Sequence, residues 1–292
     1  MLFRSHLWLH LFGQGLVRTP DDFGARGEPP THPELLDWLA SEFIRQGWSR
    51  KRMIRLLVTS AAYMQSSRHR PELAHADAQN RLLHRQNRYR VEAEIVRDLH
   101  LAVGGLLTLR IGGPSVFPPI PKDLEKISFR SQLPWPTSTG ADRYRRGMYT
   151  FFKRSLPEPN LVVFDCPDGS ATAMQRSTSN TPLQALTTLN NEVFFEAAQA
   201  MARRILQSAP RTDEERVAFA FRLALARPAT DTERGRLVEL LRASRDWYQG
   251  HEREAEQTAD AFRPEGTTAD ETAAWVTTVN VLLNLDEFIM RE

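Results

Sequence analysis

The chain has 292 residues, of which 41% are apolar and 25% charged, and a formal net charge of +2. That length and balance suit a globular protein with one large core or two small ones. No apolar run approaches the roughly 20 residues that cross a bilayer. The single cysteine, Cys166, excludes an internal disulfide, a Cys-x-x-Cys redox pair and a Cys-x-x-Cys-His haem attachment site within the chain.

Charge is distributed unevenly. From Arg45 to Arg110 there are 13 basic and 5 acidic residues, and from Asn191 to Glu292 there are 13 basic and 19 acidic ones. The plain reading is two halves that attract each other, or simply solvated faces; the sharper one is a basic patch for an anionic partner. Arginine outnumbers lysine 34 to 4, which suits bidentate pairing with carboxylates, sulfates or phosphates.

The chain opens in apolar-periodic sequence without a cap (Leu2, Phe3, Leu7, Trp8 and Leu11) and without a signal peptide. This start is read as a cut inside a larger protein. Next comes Phe12-Gly13-Gln14-Gly15-Leu16-Val17-Arg18-Thr19-Pro20-Asp21-Asp22-Phe23-Gly24, a stretch built for defined turns. Thr31-x-x-Glu34 forms a capping box ahead of Leu35, Leu36, Leu39 and Phe43, and Gly47 ends that helix. Ser49 caps the next, with Met53, Ile54, Leu57 and Ala61 inward. A third helix is expected over Val91–Val103, where Arg88–Glu92 and Arg90–Glu94 have the spacing of intrahelical ion pairs.

The centre differs. Between Gly104 and Gly140 lie six of the 18 prolines and five glycines, which support no long helix. Irregular segments of this length are usually functional or disordered. Met148–Phe152 and Leu161–Phe164 are β-like runs with room for a small ribbon. Capping boxes return at Thr181-Pro182-Leu183-Gln184, Thr212-x-x-Glu215, Thr230-x-x-Glu233 and Thr268-x-x-Glu271. Their helices are expected to bury Val217, Phe221 and Ala224, then Leu237, Leu240, Leu241 and Trp247, then Trp275, Val279, Leu282 and Ile289. The polar stretch 250–267 reads as a mobile linker.

These segments carry a resemblance. Phe12-Gly13-Gln14-Gly15-Leu16-Val17, Asp21-Asp22-Phe23-Gly24, His32-Pro33-Glu34-Leu35-Leu36-Asp37-Trp38-Leu39 and Thr59-Ser60-Ala61-Ala62-Tyr63 begin it. Arg85-Gln86-Asn87-Arg88, Glu92-Ala93-Glu94, Arg97-Asp98, Gly112-Gly113-Pro114 and Phe164-Asp165-Cys166-Pro167-Asp168 follow. Asn180-Thr181-Pro182-Leu183-Gln184-Ala185-Leu186 and Leu283-Asn284-Leu285-Asp286-Glu287-Phe288 complete it. In order and density they resemble the planctomycete-specific PSD-one family, domain of unknown function 1553. The resemblance implies a C-terminal module of a periplasmic or exported protein, with a cytochrome-c-like domain and a second domain upstream, neither present here. It supplies no catalytic residues.

Taken together, the expectation is a mainly α single domain over 1–292, with about eight helices and an irregular insert at about 104–170. The N-terminal and C-terminal helices are expected to share one core. The expected role is an accessory or interaction module whose partner is a protein or the upstream domains, with polysaccharide as a further candidate and nucleic acid not expected. No cofactor and no metal are expected in this chain. The alternative is a hydrolase acting on carbohydrate or sulfated glycan. Its candidate residues are Asp21, Asp22 and His32 at one turn, Asp165 and Asp168 at another, and Arg176 to Asn180 beyond them, since paired carboxylates serve acid and base roles. A second alternative is a haem-associated electron-transfer module using His6 or another histidine with Met148 or Met174 as axial ligands. His6 and His10 share a helical face but lack further ligands. Cys166 lacks a base at a diagnostic spacing. Arg143, Arg145, Arg146 and Arg154 interleave with Tyr149, Phe151 and Phe152, a pattern that can stack on nucleotides or sugars.

Overall fold

Caps and apolar stripes turn most of the chain into helices, and the fold is mainly α, as expected. The structure is a computed structural model describing residues 2–124, 135–154, 156–173, 175–208 and 212–291. It resolves into two compact units: unit 1 is Met1–Arg90, Thr172–Arg176 and Met290–Glu292, and unit 2 is Val91–Ala171 and Ser177–Ile289.

Unit 1 holds α1 (Leu2–Phe12), α2 (Pro33–Arg45), α3 (Arg50–Val58) and α4 (Ala61–Met64). Its core is Trp8, Phe12, Leu16, Val17, Leu36, Leu39, Phe43, Met53 and Leu57, with the Trp8 and Phe12 rings stacked at 4.0 Å. The last carbonyls of α1 need partners. The Tyr89 hydroxyl supplies one to His10 O and Leu11 O at 3.0 and 3.1 Å, and Asn87 Nδ2 donates to Phe12 O at 2.9 Å. Gly13 follows at φ +77, where a Cβ would lie 2.7 Å from the Tyr89 ring, so both conformation and space require glycine. β1 (Tyr89–Arg90) pairs antiparallel with β2 (Met290–Arg291). Arg291 in turn donates to the hydroxyls of Tyr89 and Tyr63.

Unit 2 holds α5 (Ala93–Val103), α6 (Pro159–Val163), α7 (Pro182–Asn190), α8 (Glu192–Ser208), α9 (Asp213–Leu225), α10 (Asp231–Gln249), α11 (Glu252–Ala259), α12 (Ala269–Leu283) and α13 (Asp286–Ile289). α12 is apolar nearly all round and therefore central. Its Trp275, Val276 and Val279 pack with Met201, Ile205, Phe221 and Leu241. Each such fully buried large side chain contributes about 1.5–3 kcal/mol. Thr181, Thr212 and Thr230 form the expected capping boxes with Gln184, Glu215 and Glu233. Thr268 caps α12 through Glu271 N.

Several expectations are corrected. The N-terminal and C-terminal helices do not share one core: α1–α3 close on Leu16 and Val17, while the C-terminal helices surround α12. Among the described residues the two-stranded ribbon forms at β1–β2, while the centre has isolated bridges, Thr108 with Arg145 and Val116 with Thr150. The run Leu161–Phe164 is largely helical because the Glu158 carboxylate accepts Leu161 N and Pro159 presets the first turn. Met148–Phe152 begins inside a 3-10 turn, Gly147–Tyr149. Pro33 moves the start of α2 past Thr31, whose hydroxyl donates to Leu16 O in place of capping. Ile54, Ala61 and Trp247 face outward. The stretch 250–267 contains α11, anchored by buried Ala255 and Ala259. Arg88 and Arg90 precede α5, so they form no intrahelical pairs. Part of the irregular insert, 125–134, lies outside the described residues.

Candidate functional site

The central excursion of unit 2 is held by charged side chains of α5. Asp98 Oδ1 accepts Gly147 N at 2.6 Å and Asp98 Oδ2 accepts Arg146 Nε at 2.7 Å. Beside it, Arg97 donates to the carbonyls of Arg143 and Arg145 at 2.6 and 3.3 Å. Two adjacent helix residues of opposite charge thus grip the segment 143–147, where one 3-10 turn, Gly140–Tyr144, gives way to the next, chiefly by its backbone.

Arg145 is fully buried. It donates to Pro114 O, Arg110 O and Gly112 O, and its guanidinium lies 3.7 Å from the centre of the Tyr149 ring. Tyr149 returns the contact by accepting Gly112 N at 2.8 Å. A planar cation with five donors can serve several carbonyls at once. Arg143 pairs with Glu192 and Glu196 on α8. Burial pulls the Arg143 guanidinium down, but hydrogen bonds to Glu196 and Glu192 outweigh it and hold it above its ordinary value. The basic-aromatic run 143–152 is therefore an internal brace: Arg143, Arg145 and Arg146 are engaged within the protein. Burial lowers the Arg97 pKa against the pull of Glu158 and Asp98, and burial raises that of Glu158.

A second polar cluster joins α6 and α7. Asp165, at a left-handed φ of +62, accepts Ser179 N and Oγ at 2.8 and 2.9 Å. Gln184 Nε2 donates to Ser179 Oγ and to Val163 O. The Cys166 thiol, half-buried, donates to Glu94 at 3.8 Å. Asp168 is exposed; its Oδ1 accepts Ser170 Oγ and N, which hold its carboxyl below the usual range. Asn180 donates to Asp286 at 3.2 Å.

On α7 the polar Gln184 and Thr188 turn inward while Leu183 and Leu186 turn out. Leu183 and Leu186 are 57% and 56% exposed on α7, and Val162 on neighbouring α6 is 53% exposed. Thr188 Oγ1 donates to Asn284 Oδ1.

In unit 1, Asp22 Oδ1 accepts Gly24 N at 2.7 Å as an ordinary turn residue. Asp21 is exposed, and His32 Nδ1 lies 2.9 Å from Thr31 Oγ1. The seven candidate residues are divided: Asp21, Asp22, His32 and Arg176 belong to unit 1, and Asp165, Asp168 and Asn180 to unit 2. The cavity lined by Trp8, Gln14, Arg18, Thr31 and Arg81 measures about 10 Å3, room for about one water. Among the described residues, no group of three or more His, Cys, Asp or Glu is placed to hold a metal, and no helix is long and apolar enough to cross a membrane. His6 is half-buried in α1, Met148 is exposed in unit 2, and Met174 lies outside the described residues.

Sequence reasoning singled out Arg145 as part of a basic-aromatic run but missed its role as a buried clamp, which depends on three carbonyls more than 30 positions away. The exposure of Leu183 and Leu186 was readable, since the capping box fixes which face Gln184 occupies.

The family described as "Protein of unknown function (DUF1553)" matches residues 3–241. No curated protein and no solved structure matches the chain.

Proposed function

Since the chain belongs to the DUF1553 family, we propose that it acts as an accessory or interaction module of an exported multidomain assembly. The observation that carries this reading is the inverted polarity at α6 and α7. Thr181, Gln184 and Thr188 satisfy internal hydrogen bonds, while Leu183, Leu186 and Val162 are presented to solvent. A catalytic surface presents polar groups to substrate; an apolar face rimmed by polar residues suits a protein partner. The resemblance supplies the candidate partner, the upstream cytochrome-c-like and second domains.

The test mixes this chain with those domains, produced as separate polypeptides, and follows association by sedimentation velocity. A complex that Leu183→Glu with Leu186→Glu abolishes supports the role. Association that survives this double substitution, or none at all, counts against it.

The hydrolase reading on carbohydrate or sulfated glycan is favoured by one observation, the left-handed φ of +62 at Asp165, since backbone strain of this kind clusters at functional sites. Release of reducing ends or sulfate from a glycan panel, lost in Asp165→Asn, supports that reading. The haem reading is tested by titration, with a Soret shift as its signature.

A further inference from the structure

The turn between α2 and α3 closes the end of α2 with Gly47 N donating to Ile44 O and Trp48 N to Phe43 O, both at 2.9 Å. Gly47 and Trp48 are both left-handed, at φ +67 and +61. For glycine this is easy; for a tryptophan it is an outlier. The result is a Trp48 side chain that touches Phe43 edge-on at 5.3 Å yet remains 65% exposed. Ile44, one residue from the end of α2, is 57% exposed, and Ile54 on α3 is 38% exposed.

Around these apolar groups stand Arg50, Lys51, Arg52 and Arg55, all exposed on α3. None of the four side chains has a carboxylate partner or a side-chain hydrogen bond. Arg45 is paired with Glu42, but its side chain is still 74% exposed. At 100° per residue, Lys51 and Arg55 lie opposite the buried Met53 and Leu57, and Ile54 lies on the flank of the helix. Nothing in the helix balances this charge: α3 contains four cations and no acid. Unit 1 as a whole carries 16 arginines and lysines against 9 aspartates and glutamates, while unit 2 carries 22 against 27.

We propose that this corner docks peripherally on an anionic lipid bilayer, with Trp48 entering the headgroup layer beside Ile44 and the α3 cations facing the lipid phosphates. Charge complementarity selects an anionic occupant. The isoleucines select among anionic occupants, because a sugar or phosphodiester chain offers aliphatic side chains nothing, whereas the interface of a bilayer accepts them together with tryptophan and basic residues. The inference goes beyond the protein-partner role and is independent of it, since vesicle binding is read in the absence of any other protein.

The experiment is co-sedimentation of the full chain with mixed phosphatidylglycerol–phosphatidylcholine vesicles and with phosphatidylcholine alone. Binding is expected only to the mixed vesicles and is expected to weaken with salt. Trp48→Ala is expected to lose about tenfold in affinity. Arg50→Gln, Lys51→Gln, Arg52→Gln and Arg55→Gln together are expected to lose about a hundredfold or more. All these side chains are exposed, and thermal melts of both variants should match the parent. Absence of binding to the mixed vesicles overturns the proposal, as does unchanged binding by Trp48→Ala. Binding of heparin or duplex DNA, equal in parent and Trp48→Ala, with none to vesicles, would identify a soluble polyanion and overturn it as well.

Discussion

Gly147 lies so close to Glu94 that a Cβ on it would fall 2.5 Å from the Glu94 carbonyl oxygen and 2.7 Å from the Glu94 Cα. The contact is between the excursion and the backbone of α5, and it is the close approach that lets Asp98 reach Gly147 N. Gly147→Ala must therefore push two backbones apart and break that bond. A loss of about 2–3 kcal/mol in urea unfolding is expected. An unchanged midpoint would show that the excursion is not seated on α5 in this way.

His100 links stability to pH. Its Nδ1 donates to Val96 O at 2.8 Å, its Nε2 is buried without a partner, and its ring sits against Phe194 and Phe288 at 4.5 and 4.8 Å. Burial, opposed by the bond to Val96, depresses its pKa from the ordinary 6.5 to about 4. The unfolded chain thus binds a proton that the folded chain refuses. Stability from this group is complete above about pH 6.5, falls as pH drops toward about 4, and changes no further below that, for a total of roughly 3 kcal/mol. His100→Leu should flatten this part of the pH profile between pH 7 and 4.5. Parallel profiles for parent and variant would falsify the assignment.

Arg145→Lys tests the carbonyl clamp. A lysine keeps the charge but cannot hold Pro114, Arg110 and Gly112 together while stacking on Tyr149. The expected cost is about 2 kcal/mol, with faster hydrogen exchange at the Gly112 amide, which Tyr149 accepts. Exchange at that amide equal to the parent's would remove Arg145 from its proposed role.

The threonines at helix starts should separate cleanly. Thr230→Ala breaks a reciprocal box with Glu233 and should cost about 1 kcal/mol in thermal or urea unfolding. Thr31→Ala removes a long 3.3 Å bond to Leu16 O from a residue that is not a cap, so about 0.5 kcal/mol is expected. Equal losses would mean that Thr31 does cap α2 in solution.

Helix identity was legible wherever the signal is local. Ser49, Thr181, Thr212, Thr230 and Thr268 mark helix starts because a side-chain oxygen and an amide three residues away are already neighbours along the chain. The alternation that places Leu36, Leu39 and Phe43 inward is likewise a property of one helix. Non-local matters were not legible. Tyr89 terminates α1 from 78 residues away, Arg145 reaches back to Arg110, and the 161–164 run became helical because Glu158 caps it from a buried position. Ile54 and Trp247 read as core on periodicity alone, yet whether an apolar face is covered depends on which neighbour arrives.

The candidate carboxylates show the same division. That Asp22, Asp165 and Asp168 sit in turns follows from their Gly and Pro neighbours, and each is engaged by a nearby amide or hydroxyl. Their separation into two units could not be read from order along the chain. Local hydrogen bonding and helical periodicity act over a few residues, so the order of amino acids carries them directly; burial and long-range pairing depend on how distant segments meet, which is set by the competition among all possible packings of the whole chain.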